Sequence, residues 1–296
     1  MILAFITFSI GLGLAADDFR RVLRRPGTVL LGASLQLIAL PALTWFLART
    51  LAPMPSIALG MIILAACPGG SLSNLMTLTA RGDTALSITL TALSSVIGVL
   101  LTPLSVLFWA SQIPETAALL SAIELDRGSF IAQTLLILAV PLALGMLTGW
   151  RKPSLAARLH KPFHRLSLVA LGVFVIGAVA GNASHLDTLI TSVVPLVALQ
   201  NTLGYLLGYV GAWIARLPAP ARRAFTFEIG FQNSGLGLVL VLTHFAGLGG
   251  TVLVAAGWGL WPLLSGVALT YVWSRRPPRE PLSSLGLTPT EYKENP

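Results

Sequence analysis

The sequence predicts an all-α integral membrane protein of about nine transmembrane helices, arranged as an inverted repeat with two interrupted helices. Three observations carry this expectation. Of 296 residues, 55% are hydrophobic and only 10% charged, with a mean hydropathy of +0.82, far from the roughly 25% charge of a soluble domain. The apolar runs approach the roughly 20 residues a spanning helix requires and lack the period-2 alternation of a barrel strand. Two of them are broken by polar, glycine-containing segments, Cys67-Pro-Gly-Gly-Ser-Leu-Ser-Asn74 and Glu228-Ile-Gly-Phe-Gln-Asn-Ser-Gly235.

Taken in order, the spans run from Met1 to Ala16, Thr28 to Ala48, Ser56 to Thr79, Thr84 to Ala110, Ser129 to Trp150, Leu166 to Ala183, Leu186 to Ala215, Ala224 to Phe245 and Gly249 to Trp273. Leu14-Ala-Ala16 could be a signal-peptide cleavage site, but no basic residue precedes the apolar run and the arginines follow it, so the first span reads as retained. From Ser274 onward the chain, with Arg275-Arg-Pro-Pro-Arg279, has no apolar period and reads as a disordered cytosolic tail, 274–296.

Orientation follows from the basic residues. Seventeen of the 19 Lys and Arg fall in loops on one side of this topology and only Arg49 and Arg127 on the other. The positive-inside rule then puts the N-terminus outside and the C-terminus in the cytoplasm, with the inner membrane as the expected location. It also accounts for the formal net charge of +8 as anchoring beside anionic lipid, so no nucleic-acid partner is implied. The single Cys67 excludes an internal disulfide and reads as a small buried thiol.

The repeat is visible in residue order. Gln36 precedes Trp45-Phe-Leu-Ala-Arg-Thr-Leu-Ala-Pro53 and the break ending at Asn74; Gln200 precedes Trp213-Ile-Ala-Arg-Leu-Pro-Ala-Pro220 and the break ending at Asn233. The copies start on spans two and seven, so they insert with opposite orientation, as in secondary transporters whose discontinuous helices meet at a midplane site.

Pro68, Gly69 and Gly70 cannot sustain a helix, and the backbone groups they free must line a cavity. Freed carbonyls with Ser, Thr, Asn and Gln oxygens are hard ligands for a small cation, and helix N-termini aim amides at an anion. Ser87 and Thr91, at i and i+4, share a helical face and could complete such a shell. The alternative for each is a bond back to the carbonyl four residues earlier. Glu228 is a lone carboxylate at bilayer depth, where a charge costs roughly 2.5 to 3.5 kcal/mol unless a cavity or cation receives it.

At these motifs, with Arg81-Gly-Asp-Thr-Ala-Leu-Ser87, Gln36 before Pro41, and Asn201-Thr-Leu-Gly-Tyr205, the chain resembles the bile acid:sodium symporter family over roughly Ile10 to Trp273. The resemblance implies a transmembrane domain, 1–273, built from a core of two inverted three-helix bundles whose broken helices cross, about 28–110 and 186–273. A panel, about 1–27 and 129–183, would lie beside it, the two parts moving relative to each other in alternating access. It implies one sodium held by Ser73, Asn74, Ser87, Thr91 and Glu228, and a second by Gln36, Glu228, Gln232 and the carbonyls of Ile229 and Phe231. Ser71, Asn233 and the crossing amides would meet a small organic anion. The resemblance suggests a small carboxylate such as pantoate or a short keto acid as that substrate, and no obligate protein partner is evident.

Two departures qualify the match. Many bacterial members have ten spans and this chain begins where their second would lie. Trp261-Pro-Leu-Leu-Ser-Gly266 stands where a His-Asn pair often precedes a glycine-containing stretch, which weakens a bile-acid reading. Coupling to protons instead of sodium, or a passive channel, are the neighbouring alternatives. An intramembrane enzyme would need a base or metal set beside Glu228 that the spans do not offer. His160 and His164 read as a solvated basic loop around Pro162, and His244 as an interfacial residue. Asp17 and Asp18 should pair with Arg20 and Arg21. Gly145/Gly149 and Gly204/Gly208 should mark helix packing, and Trp109, Trp150, Trp258, Trp261 and Trp273 an aromatic belt.

Overall fold

Helix is the only regular structure that satisfies its own backbone in hydrocarbon, and the chain adopts it almost throughout. A computed structural model describes residues 2–14, 16–181, 187, 189–245 and 248–276. The helices are α1 (Ile2–Gly13), α2 (Ala16–Arg24), α3 (Pro26–Leu51), α4 (Pro55–Ala66), α5 (Ser71–Thr79), α6 (Thr84–Ser111) and α7 (Pro114–Ala122). They continue with α8 (Arg127–Arg151), α9 (Pro153–Gly181), α10 (Ile190–Ile214), α11 (Ala219–Gly230), α12 (Ser234–His244) and α13 (Gly249–Ser274). Five of them, α3, α6, α8, α10 and α13, are long and apolar enough to cross a membrane, and α4 and α12 are shorter apolar helices. Leu136, Ile176, Ile214 and Leu264 are each more than 60% exposed; water would reject such a surface and lipid accepts it.

Short, sharp turns order the helices. Asp83 caps α6 by accepting the Leu86 amide at 3.0 Å, and Asn233 caps α12 by accepting that of Leu236 at 3.0 Å. Arg81 (φ 57°) and Arg216 (φ 55°) end α5 and α10 in the left-handed region usually given to glycine. Gly82 N–H reaches Thr77 O at 2.8 Å and Leu217 N–H reaches Ala212 O at 2.9 Å, so the last carbonyls are satisfied and the chain reverses at once.

The repeat is visible in the helix boundaries. Leu51 and Ile214, Ser71 and Ser234, and Ser111 and Ser274 are separated by the same interval along the chain, and each pair occupies the same boundary in its half. This corrects one residue match. Asn74 lies inside α5, whereas Asn233 is the N-cap of α12, so the structural counterpart of the Asn233-Ser234 step is Gly70-Ser71.

Glycines bring two helix pairs into backbone contact. A Cβ on Gly145 of α8 would overlap the Phe8 carbonyl and lie 2.9 Å from Gly11 Cα of α1, and one on Gly208 of α10 would overlap the Phe225 carbonyl of α11. Both expected glycine pairs thus pack helices of this chain together. Phe130 at the start of α8 meets the His244 ring at 4.9 Å and Phe245 at 5.8 Å, closing α8 onto the end of α12.

Several expectations change. The short helices α2 and α7 were not anticipated between spans. The basic segment 151–165 is not a loop, because α9 begins at Pro153 and contains Pro162. Trp258 is 2% exposed and belongs to the core, not to a belt. His244 is a half-buried packing residue. Asp18 pairs with Arg21 at 3.2 Å. The tail beyond Arg276, the Ala15 position, and the side chains of Asp17, Ser71 and His164 lie outside the described residues.

Candidate ion site at the crossing of two broken helices

The two breaks meet. Gly69 and Gln232 form an antiparallel bridge, with Gly70 N–H donating to Phe231 O at 3.3 Å and Asn233 N–H to Pro68 O at 2.8 Å. Each interrupted helix therefore satisfies the other's loose backbone, as hydrocarbon demands. On the first break, Thr102 donates to Ala66 O at 3.0 Å and Cys67 Sγ to Ile63 O at 3.2 Å, so the thiol is a structural contact.

The second break is accounted for carbonyl by carbonyl. Glu228 O accepts from Gln36 Nε2 at 2.9 Å, Ile229 O from Gln232 Nε2 at 2.8 Å and Gly230 O from Asn201 Nδ2 at 2.9 Å, while Phe231 O takes Gly70 N–H. Gln36 reaches this position from a π-helical turn, Leu35–Ala39, just before Pro41, whose missing N–H makes the wider turn tolerable. Glycine at position 69 lets the Glu228 and Gln36 side chains close in, because a Cβ there would strike Glu228 Oε1 and Gln36 Nε2.

Glu228 is fully buried, and hydroxyls from two other helices surround its carboxylate. Ser73 Oγ of α5 donates to Oε2 at 2.6 Å, Ser87 Oγ of α6 lies 3.1 Å from the same oxygen, and Thr91 Oγ1 lies 2.8 Å from Oε1. Asn74 Oδ1 joins the cluster, 2.8 Å from Ser87 Oγ and 3.2 Å from Thr91 Oγ1. Two of these hydroxyls have a second acceptor within reach: Gly70 O for Ser73 at 2.8 Å and Ser87 O for Thr91 at 3.1 Å. Their protons can turn to those carbonyls, which exposes oxygen lone pairs to a cation. The back-bonding alternative for Thr91 is therefore present, at 3.1 Å from Ser87 O, beside its contact with Glu228.

The five side chains assigned to the first ion thus converge from α5, α6 and α11. Of the second set, Gln36, Gln232 and the carbonyls of Ile229 and Phe231 stand around the break, and Gln232 Oε1 is buried without a hydrogen-bond partner. An all-oxygen cluster around one carboxylate suits a hard cation of low charge. Among the described residues no group of three or more His, Cys, Asp or Glu could hold a metal of the other kind.

A small pocket opens beside the crossing, lined by Pro68 and Asn233 from the breaks, Thr7 of α1, Ser95 of α6 and Leu138 and Leu142 of α8. Ser95 Oγ is buried and unpartnered. Asn233 uses its oxygen on the helix cap, which leaves its amide N–H₂ for the cavity.

A family model described as the sodium bile acid symporter family matches residues 1–189. The chain belongs to that family. It is 33% identical over 277 residues to the uncharacterized sodium-dependent transporter YocS of Bacillus subtilis (strain 168), covering 93% of this chain and 82% of the relative. It is 29% identical over 278 residues, 94% of this chain and 67% of the relative, to the probable sodium/metabolite cotransporter BASS1, chloroplastic, of Arabidopsis thaliana. With the ileal sodium/bile acid cotransporter of Homo sapiens it shares 27% identity over 249 residues, 83% of this chain and 69% of the relative. This symporter-family chain is accordingly a multi-pass membrane transporter and not an enzyme.

Sequence reasoning missed the supports of the site. Asn201 stands in the sequence only as part of the Asn201-Thr-Leu-Gly-Tyr205 motif, which gives no sign of its bond to Gly230 O. Ser265, which donates to Asn201 Oδ1 at 2.7 Å, and Thr77, which reaches Ser87 Oγ at 3.3 Å, carried no signal beyond being hydroxyls on apolar helices.

Proposed function

We propose that the protein is a sodium-coupled symporter that imports a small organic anion across the cell membrane by alternating access. The observation that carries this is the convergence of Ser73, Asn74, Ser87 and Thr91 on the buried Glu228 carboxylate. One sodium binds there, and a second binds between Gln36, Gln232 and the carbonyls of Ile229 and Phe231. Glu228 is shared: one negative charge partly neutralises two cations and couples their occupancy.

Nine spans, with the N-terminus outside and the C-terminus cytoplasmic, fit the helices if α4 with α5 and α11 with α12 each cross once as broken helices. The core then comprises α3 to α6 and α10 to α13, and the panel α1, α8 and α9. The cavity lies between them, with panel residues Thr7 and Leu138 facing break residues Pro68 and Asn233. The N-termini of α5 and α12, with Ser71 and Asn233, are the groups that would receive a carboxylate there. Two relatives are named for cotransport of metabolites or bile acid with sodium.

Thermal unfolding of the purified protein in sodium, potassium and choline at equal ionic strength tests the reading, because a cation that binds only the folded state stabilises it by mass action. Sodium-specific stabilisation is expected in wild type and should vanish in Glu228→Gln. Equal unfolding temperatures in all three salts for wild type, together with uptake that follows a proton gradient, would overturn it in favour of protons.

A further inference from the structure

Behind Gly230 lies a chain of hydrogen bonds with a defined direction. Asn201 Nδ2 of α10 donates to Gly230 O at 2.9 Å, and Asn201 Oδ1, which can only accept, receives Ser265 Oγ of α13 at 2.7 Å. Ser265 has one proton and spends it there, so the Tyr205 hydroxyl, 3.2 Å from Ser265 Oγ, is the donor in that contact. The Pro262 carbonyl competes for both hydroxyls only at longer distances, 3.3 Å from Tyr205 and 3.2 Å from Ser265.

The chain ends at a sensitive place. Gly230 lies between Ile229 and Phe231, and a bond to the middle carbonyl fixes the rotation of the peptide planes on both sides. The Tyr205 ring rests on Gly230, where any Cβ would overlap it, and a Cβ on Gly204 would come within 3.2 Å of Ile229 O. Ring, amide and hydroxyl thus hold this one turn of backbone together.

We infer that Tyr205, Ser265 and Asn201 form a positioning relay that sets the Ile229 and Phe231 carbonyls for the second sodium, so that α13 controls ion affinity without supplying a ligand. This rests on the two-ion reading above. It also gives a role to the departure on α13: the polar group absent at Pro262 and Leu263 is supplied by Ser265, aimed at the ion site and not at the substrate cavity.

The test is a sodium titration of thermal stability in the full-length protein, in wild type, Ser265→Ala, Ser265→Thr and Gln36→Ala, with choline as the ion-free reference. Ser265→Ala should raise the sodium concentration for half-maximal stabilisation about fivefold, the equivalent of one neutral hydrogen bond. Ser265→Thr, which keeps the hydroxyl, should restore it, and unfolding in choline should match wild type for both. An unchanged titration in Ser265→Ala beside a weakened Gln36→Ala overturns the relay while leaving the second ion site standing. Unchanged titrations in both variants overturn the relay and the two-ion reading together. Equal loss of stability in sodium and choline for Ser265→Ala also overturns it, reducing the chain to structural packing.

Discussion

Thr91 Oγ1 on α6 lies 2.8 Å from Glu228 Oε1 on α11, across 137 residues of sequence. Ser87, one turn earlier on the same face, touches the other carboxylate oxygen. Removing both hydroxyls, in Ser87→Ala/Thr91→Ala, should raise the sodium concentration for half-maximal uptake by at least about tenfold, since hydrogen bonds to a charged group are worth about 1.5 to 3 kcal/mol each. Sodium-dependent uptake assays check this, and an unchanged dependence would remove both residues from the site.

Glu228→Gln keeps the shape of the side chain and removes its charge. Concentrative uptake should be lost while the purified variant still unfolds cooperatively in choline, because the hydroxyls around it can donate to the amide oxygen as they do to the carboxylate. Sodium-driven accumulation at wild-type levels in that variant would refute the assignment of the coupling carboxylate.

Gly69→Ala places a methyl group against Glu228 Oε1 and Gln36 Nε2. Both clashing groups are buried side-chain ends, so the methyl must displace the Glu228 carboxylate and the Gln36 amide, and the variant should lose about 1 to 3 kcal/mol of stability and its sodium-dependent thermal shift with it. Gly27→Ala, with nothing near its added Cβ, is the matched control and should behave as wild type.

Phe130 and His244 join α8 to the end of α12 through rings 4.9 Å apart. If panel and core part on this side during the cycle, a Phe130→Cys/His244→Cys pair bridged by a short thiol cross-linker should arrest uptake and reducing agent should restore it when the linker is cleavable. The native Cys67 is fully buried and contributes little background. Uptake that continues at full rate in the cross-linked protein would show that this contact does not open.

Asp126 caps α8 by accepting the Ser129 and Gly128 amides at 3.0 and 3.2 Å. The Ser129 side-chain hydrogen bond, then the Ser129 and Gly128 amides, hold its carboxyl below the ordinary carboxylate range. Its contribution is therefore complete above the unfolded-state pKa and is lost as the pH falls through the lower folded-state value. Asp126→Asn keeps an acceptor oxygen and should flatten this small acid-range dependence, measured by unfolding between neutral pH and pH 3.

The residues proposed to hold the ions were legible because chemistry concentrates them: one acid at bilayer depth and two helix breaks stand out against Leu, Val and Ala. Their roles came from family resemblance, since spacing alone cannot bring Thr91 to Glu228. What eluded the sequence was register and support. Matching identical letters paired Asn74 with Asn233, whereas the helices align Ser71 with Ser234, because symmetry acts on backbone positions and not on residue identity. Ser265 and Asn201 were hidden for a related reason: a hydroxyl on an apolar helix bonds back to its own backbone more often than it reaches another helix, and only the crossing geometry distinguishes the two. Trp258, the tenth residue of α13, is buried in the core, and the sequence alone does not reveal which indole neighbouring helices cover.

The bridge between Gly69 and Gln232 has a consequence for biogenesis. The backbone groups of the first break find their partners in residues translated more than 160 positions later. While the ribosome is still making the second half, Pro68 O and Gly70 N–H have no protein partner from that segment and must stay in contact with water or the insertion machinery. The first half therefore cannot mature alone, and a truncation before Phe231 should be cleared by membrane quality control even though most of its spans are present.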